Sequence, residues 1–393
     1  MATIAVSAGG SSTVPIDRDV FCRLFDNSVV ADSADYRHAL ERSRISFHVL
    51  EQLARKADIP SSLFFAPCAV VEGQISHKMR NLLSGVGKDQ FSLNSRGSVR
   101  VTDVELIIKD LLRKQSGLKK VDSSLPPNDI IGCIGKRGLT PTQAAEQLCS
   151  KLGLDRRELR SRGGKGKAFE YLVELLEAHN VFVSQSVRNW MPQNLPKRAW
   201  FSGMCIKDKK IPFAFINSSE ARGSIAPAGR QILTLVLLAV CVGRGRFQRV
   251  SYDEQSDDLI TNSEYEIAEE LLMPVAEVRE WSVESLDDLK NYADTCVVTP
   301  SAFLMRARRL QLVDEDTARE YAQTLREEFR KIKPSPSRAP KPTTALRKYN
   351  GAGFCRAYLA AFDEGRVSAS DVKRVLFQNR RAAPTIQAFR ESL

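Results

Sequence analysis

Side chains that could hold a metal ion or act as a catalytic base are few in this sequence, and their spacing is unfavourable. A zinc-peptidase helix places two histidines four positions apart, so that both imidazole nitrogens reach the metal from one face. No two of the four histidines have that spacing; they are His38, His48, His77 and His179. No serine or cysteine stands in a recognisable nucleophile turn. These residues favour a binding protein, and an active hydrolase with a non-standard site is the alternative.

The cysteines and the apolar segments bear on the compartment. Eight cysteines are scattered without a Cys-x-x-Cys pair, which predicts buried thiols in a reducing cytoplasm rather than a zinc ribbon or redox motif. Residues 1–15 are small and polar, and we expect a disordered tail there rather than a secretory signal. The apolar run from Ile232 to Val242 is shorter than the roughly twenty residues that span a bilayer, so it predicts a core helix and no membrane partner.

The length and charge of the chain indicate a protein of several domains that attracts polyanions. A chain of 393 residues, 43% of them hydrophobic, can bury a sizeable core. We predict an N-terminal helical region over 16–122, a central domain over 123–332, a Pro-rich linker over 333–345 and a C-terminal helical hairpin over 346–393. The formal charge of +11 permits DNA binding, although dispersed charge gives only weak, salt-sensitive attraction.

Local patterns predict the elements that would surround a site. Apolar residues at helical spacing predict an amphipathic helix over 101–121, and Thr140 before Pro141 predicts a capped helix that ends near Gly153. Residues 181–184 read as a strand, and 199–206 and 211–217 read as a hairpin around the polar turn 207–210. The central domain is therefore expected to combine helices with a small sheet.

Three stretches of the central domain resemble the ImmA/IrrE family of bacterial and phage metallopeptidases. Residues 264–274, which read EYEIAEELLMP, are similar to the family helix that ends in Phe-Ala-x-x-Leu-Leu-Met-Pro. Residues 233–241 stand where the family has its His-Glu-x-x-His zinc helix, and 297–313 resemble its Val-Ser-x-x-Ala-x-x-x-Arg-Leu element. The resemblance spans about 140–313 and implies a mainly helical α+β fold with a small sheet in a zincin-like domain.

The same resemblance implies that the zinc site has been lost. Leu237, Leu238 and Cys241 occupy the places of the first histidine, the glutamate base and the second histidine. The third ligand of the family falls within 261–263, where Thr261 and Ser263 flank an asparagine. Catalytic zinc needs three protein ligands and one open position, so a lone Glu264 shifted into place could not hold it. We therefore expect no metal, no cofactor and no peptidase activity.

Residues 45–67 are similar to the last part of the Xre-type helix-turn-helix domain that often precedes this peptidase domain. The upstream elements that would place a recognition helix in the major groove are missing. A degenerate domain that still contacts DNA and a purely structural helical domain are both compatible with these residues. The candidate phosphate contacts are Arg42, Arg44, Arg55 and Lys56.

Two glycine-containing segments could contact a nucleic acid or a partner. Gly132 and Gly135 match the Gly-x-x-Gly loop of KH domains, but the two prolines just upstream disagree with that fold. Residues 243–249 form a dense basic segment in which Arg244, Arg246 and Arg249 could contact an acidic partner, or else a solvated loop. A partner is expected in the groove beside the former zinc site.

The family's known roles set the expected function. The resemblance implies a catalytically inactive regulator of a mobile element or of toxin–antitoxin type. It would act by binding a protein such as a toxin or a repressor, with DNA as a second partner.

Overall fold

The computed structural model describes residues 2–8, 12–86, 100–195, 202–218, 226–247, 249–250, 263–331 and 339–393. Over these residues the protein is mainly helical with two small β-sheets, which confirms the predicted α+β class. The chain divides into two compact units. The first comprises Met1–Gly85, Val99–Leu112 and Pro192–Ala199, and the second comprises the rest. Across the described residues, no helix is long and apolar enough to cross a membrane.

The first unit contains a three-stranded sheet that the sequence did not predict. Strand β1 (Thr3–Ser7) pairs antiparallel with β2 (Thr13–Asp17) and parallel with β3 (Arg44–Ser46). The expected disordered tail over 1–15 is therefore wrong. The physical reason is that Ile4 and Val6 alternate with the smaller, more exposed Thr3, Ala5 and Ser7 and are buried in the core of the unit.

Helices complete the first unit around an aromatic core. They are α1 (Arg18–Asp26), α2 (Ala34–Arg42), α3 (Phe47–Lys56), a 3₁₀ helix (Ser61–Phe65) and α4 (Cys68–Val86). The Ser46 hydroxyl accepts a hydrogen bond from Val49 N–H at 3.3 Å and so caps α3. Phe21, Phe25 and Phe64 pack with ring centroids 4.9–6.1 Å apart, which explains why this small unit has a defined interior.

The second unit contains a four-stranded sheet in the order β4-β6-β5-β7. Strands β5 (Gly203–Ile206) and β6 (Phe213–Ile216) form the predicted antiparallel hairpin. Strand β4 (Phe182–Gln185) runs parallel to β6, and the short β7 (Arg249–Val250) pairs with the other side of β5. Residues of β5 and β6 are buried, so the hairpin lies in the middle of the unit.

The helix α5 (Glu105–Val121) shows that the predicted boundary at 122 is too late. Residues from 113 onward belong to the second unit, where the Gln115 side chain donates hydrogen bonds to Ile206 O at 3.3 Å and Ile211 O at 3.1 Å. These two bonds hold the end of α5 against the hairpin. A boundary at 122 would separate this segment from the strands on which it packs.

Helices α6 to α14 form most of the second unit. Their bounds are α6 (Pro141–Leu152), α7 (Arg156–Ser161), α8 (Lys165–Ala178), α9 (Ala228–Gly243), α10 (Ser263–Leu272), α11 (Val275–Val278), α12 (Leu286–Thr295), α13 (Pro300–Arg309) and α14 (Glu315–Lys331). The capping box of Thr140 and Gln143 that begins α6 agrees with the sequence pattern. Almost all of α9 is buried, which confirms the predicted core helix over 232–242.

The C-terminal segment is part of the second unit rather than a separate hairpin on a linker. It contains α15 (Pro342–Asn350), α16 (Ala352–Asp363), α17 (Ala369–Val375) and α18 (Ile386–Arg390), so the last residues assigned to the linker are helical. Residues 333–338 of the predicted linker lie outside the described residues. The Phe354 ring lies 5.7 Å from that of Phe182 and 5.6 Å from that of Phe213, because the segment buries aromatic side chains against the sheet.

A buried carboxylate also anchors the C-terminal segment. Glu177 at the end of α8 accepts hydrogen bonds from Gly353 N–H at 2.6 Å and from Val183 N–H at 3.4 Å. A Cβ at Gly353 would lie 2.9 Å from this carboxylate, so only glycine allows the approach. Burial raises the pKa of Glu177 to about 7.

Candidate functional site

The three positions that the resemblance aligns with a zinc site lie in the hydrophobic core. Leu237 is 2% exposed, and Leu238 and Cys241 are fully buried. A Cβ on Gly203 of β5 would lie 2.9 Å from Leu238 Cδ1, so this face of α9 packs tightly on the sheet. The three side chains therefore fill the interior where a metal and its ligands would need polar space.

No metal cluster is present within the part of the chain that the structure describes, since no three histidine, cysteine, aspartate or glutamate side chains come together there. Thr261 lies outside the described residues, and Ser263 is the first residue of α10. The Glu264 carboxylate accepts a hydrogen bond from Arg246 Nη1 at 2.5 Å. Its side chain is 2% exposed, so this buried acid is neutralised by a guanidinium.

The buried cysteine of β5 that contacts the α9 backbone is not activated as a nucleophile. Cys205 Sγ lies 3.5 Å from Leu238 O, and burial raises the pKa of this thiol well above its usual value. Burial likewise raises the pKa of Cys149 to about 11 and that of Cys296 to about 12. A thiolate is the reactive form, so none of these three thiols supports the alternative of a cysteine hydrolase.

The end of α10 is the most densely bonded feature of the site. Three consecutive carbonyls there have no helical N–H donor, and Pro274 supplies none. Each accepts from one arginine; two of these arginines lie on α7 and the third lies on α13. The pairs are Arg156 Nε to Leu271 O at 2.8 Å, Arg160 Nη2 to Leu272 O at 3.1 Å and Arg306 Nε to Met273 O at 3.2 Å. Cations at a helix C-terminus also interact favourably with the negative end of the helix dipole. The three guanidiniums therefore stabilise this turn both by hydrogen bonds and by charge.

Glu270 connects this turn to three other elements. Its carboxylate accepts from Thr142 Oγ1 at 3.2 Å on α6, from Val275 N–H at 3.2 Å at the start of α11, and from Arg306 on α13. The side chains of Glu270 and Arg306 are only 5% and 8% exposed. The ion pair is thus a buried junction of four helices rather than a surface contact.

A second pair of opposite charges extends the junction. Glu269 pairs with Arg309 and lies 3.6 Å from Arg306 Nη1. Burial lowers the pKa of Arg309 to about 10, so the guanidinium still carries its charge at neutral pH. Two buried carboxylates are therefore matched by two arginines of α13. Sequence reasoning identified Arg306 as part of a motif but could not pair it with acids more than thirty residues away.

The predicted partner-binding arginines meet different surroundings. Arg244 is half-buried at the end of α9, and Arg246 is 58% exposed although it pairs with Glu264. The backbone of Arg249 lies in β7 opposite Met204, but its side chain lies outside the described residues. The structure thus brings Arg244 and Arg246 to the same helix end.

The Gly-x-x-Gly segment has a structural role at the same helix end. Gly132 N–H donates to Val242 O at 3.2 Å, and Ile134 N–H donates to Gly243 O at 2.9 Å. The bond from Ile134 gives Gly243 O a donor in the last turn of α9, whereas Val242 O also accepts from Gly245 N–H at 2.8 Å. The segment therefore caps α9, as expected for a motif that only by chance matches a KH loop.

The predicted nucleic-acid contacts are all exposed but belong to two places in the first unit. Arg42 and Arg44 flank the turn between α2 and β3, whereas Arg55 and Lys56 end α3. Arg55 Nη2 lies 2.7 Å from Glu51 Oε1, so one of the four charges is compensated. The sheet beside them distinguishes this unit from an all-helical helix-turn-helix domain.

The groove expected beside the former zinc position is closed among the described side chains. Leu237, Leu238 and Cys241 pack in the core, and α9 and α10 contact each other directly. A small apolar void of about 10 Å³ lies on the opposite face of α9, where Leu235 and Leu271 are part of its lining. A partner would therefore have to bind elsewhere than between α9 and α10.

Comparison with known proteins found no matching family model, curated protein or solved structure. The resemblance to ImmA/IrrE peptidases is therefore confined to the sequence segments 233–241, 264–274 and 297–313.

Proposed function

We propose that this protein is a catalytically inactive relative of the ImmA/IrrE metallopeptidases that regulates a mobile element, or acts as a toxin–antitoxin-type regulator, by binding a protein in the cytoplasm. One observation carries the proposal. The helix that resembles the zinc helix is present, but the three positions of its ligands and base are apolar or thiol side chains with at most 2% exposure. Side chains of this kind stabilise the core by packing and cannot form a catalytic zinc site.

A contact between the resembling segments supports the proposed relation. Met273 belongs to the Leu-Leu-Met-Pro stretch, and Arg306 belongs to the element that resembles Val-Ser-x-x-Ala-x-x-x-Arg-Leu. Arg306 donates to Met273 O and pairs with Glu270, so the two segments are in contact in the interior.

The surface at the end of α9 is the part of this scaffold that we assign to the partner. Its cations favour an acidic protein such as a toxin or a repressor with a negative face. Arg246 is a poor probe of that contact, because charge reversal there would leave Glu264 buried beside a second negative charge. Arg244 and Arg249 are the better positions to change.

The test uses the full-length protein in its native host. A tagged chain should recover one protein at constant stoichiometry, and the purified pair should reassemble from its components. Arg244→Glu with Arg249→Glu should slow association with that partner, whereas the control Arg188→Glu with Arg279→Glu, at exposed positions elsewhere, should not. Equal effects of both variants would contradict this surface. Cleavage of the recovered partner by the purified protein would contradict the loss of catalysis.

A further inference from the structure

A second cluster of positive charge surrounds the β5–β6 turn, on residues that the proposed function does not use. Three segments of the second unit contribute to it: the end of α5, the turn itself and the loop between α16 and α17. We call this cluster the β5–β6 patch. Its cations are Lys119, Lys120, Lys207, Lys209, Lys210 and Arg366.

Direct bonds fix the three segments of the β5–β6 patch to one another. Lys119 pairs with Asp208 of the turn, and Lys210 Nζ donates to Ser123 O at 3.4 Å just after α5. Arg366 Nη1 donates to Val121 O at 2.6 Å. These bonds bring the six cations close together, although they are separated in the sequence by up to 247 positions.

The turn that carries three of these lysines is itself held in one shape. The Asp208 carboxylate accepts from Lys210 N–H at 2.8 Å and from Ile211 N–H at 3.1 Å, and Lys209 O accepts from Asn128 N–H at 2.9 Å. A turn with these bonds presents its lysines from a fixed backbone. Binding would then order only the side chains, which lowers its entropic cost.

The charges of the β5–β6 patch do not cancel. Lys119 is compensated by Asp208, Arg366 by Glu364, and Lys210 is near the remaining acid, Asp122. Three exposed lysines are left without an acidic partner in the part of the chain that the structure describes; they are Lys120, Lys207 and Lys209. This corner therefore has an uncompensated positive charge, in contrast to the arginines of α13, whose charges are matched.

We propose that the β5–β6 patch binds the phosphate backbone of a nucleic-acid duplex without reading its sequence. Phosphate contacts need cations at suitable spacing and no base readout. A single strand is bound in addition by stacking of its bases on aromatic rings. Among the described residues the exposed large apolar side chains are Val14, Phe47, Phe65 and Val70, and all of them belong to the first unit.

The absence of exposed large apolar side chains from this part of the described structure also separates a duplex from other polyanions. A protein interface has an apolar or aromatic centre, and an anionic membrane is usually bound with an apolar anchor as well as charge. The β5–β6 patch has positive charge but no exposed large apolar side chain among the described residues. This inference is independent of the proposed loss of catalysis, since none of its residues lies on α9 or α10.

The experiment compares three full-length variants that each lose three charges. The patch variant carries Lys120→Gln, Lys207→Gln and Lys209→Gln. The matched control carries Lys167→Gln, Lys331→Gln and Lys341→Gln, at exposed lysines of the same unit. The third carries Arg42→Gln, Arg44→Gln and Lys56→Gln in the first unit. Binding to a labelled DNA duplex of mixed sequence is measured by fluorescence anisotropy over a salt series, beside thermal melting as a check of the fold.

The patch variant alone should bind less tightly and with a weaker salt dependence. Each lost phosphate contact removes about 0.9 from the log–log slope, so three contacts remove about 2.7. A fourfold rise in salt should then reduce the advantage of the wild-type protein by about 40-fold. A single strand of the same sequence should bind more weakly than the duplex.

Several results would overturn the inference. They are failure of the wild-type protein to bind the duplex at low salt, an equal loss in the patch variant and the matched control, or a loss confined to the first-unit variant. Tighter binding of the single strand would also contradict it. So would a patch variant that loses binding to anionic phospholipid vesicles or to an acidic protein but keeps its affinity for the duplex.

Discussion

Replacing Arg306 by methionine should destabilise the second unit strongly. Methionine has a similar length, so the change removes the charge and the bond to Met273 O while keeping most of the packing. Glu270, whose side chain is 5% exposed, would be left without its guanidinium. Loss of one partner from a buried ion pair costs about 3–5 kcal/mol. We expect Arg306→Met to lower the free energy of unfolding by about 4 kcal/mol.

Urea unfolding followed by far-UV circular dichroism measures this loss. The control is Arg319→Met on α14, where the arginine side chain is 70% exposed and pairs with Asp316 on the surface. Such a change should stay within about 0.5 kcal/mol. The double variant Arg306→Met with Glu270→Gln should lose less free energy of unfolding than the two single variants lose in total. The reason is that the glutamine leaves no unpaired charge in the interior. A loss below about 1 kcal/mol for Arg306→Met, or strict additivity, would refute the buried junction.

Three further predictions concern the same unit. Because burial raises the folded-state pKa of Glu177 from 4.5 to about 7, its contribution to stability is present in full below pH 4.5 and is lost as the pH rises through 7. The difference in melting temperature between Glu177→Gln and the wild-type protein should therefore increase as the pH rises from 4.5 through 7. Parallel curves of melting temperature against pH would contradict this. Arg246→Ala should cost about 2 kcal/mol in urea unfolding because it leaves Glu264 buried without its cation, while Lys136→Ala on an exposed loop should cost nearly nothing. Restoring the family residues as Leu237→His, Leu238→Glu and Cys241→His should lower the melting temperature and give no peptidase, since the three positions are core; a folded, active variant would contradict the alignment.

Local signals in the sequence were sufficient for the elements around the site. A serine or threonine before an apolar run marks a helix start through its side-chain bond, which is why the caps at Ser46 and Thr140 were predictable. Apolar periodicity identified α9 as a core helix, and the polar turn 207–210 identified the hairpin. These features depend on a few neighbouring residues.

Contacts between residues far apart in the chain could not be predicted from the sequence. The arginine caps on α10 join residues separated by 33 to 115 positions, and an arginine carries no mark of its acceptor. The first strand was not predicted because two apolar residues, Ile4 and Val6, are too few to distinguish a strand from a tail before their partner strands are known. The C-terminal segment was separated from the second unit for a similar reason, since the docking of Phe354 on Phe182 and Phe213 leaves no local pattern.

The zinc content of the purified protein tests the central claim most directly. The protein should be prepared without chelators, with zinc in the growth medium, and analysed by inductively coupled plasma mass spectrometry against its concentration. With Leu237, Leu238 and Cys241 in the core, the account predicts zinc far below one ion per chain, unchanged after dialysis against zinc and removal of the excess. Zinc close to one ion per chain that resists dialysis would contradict it.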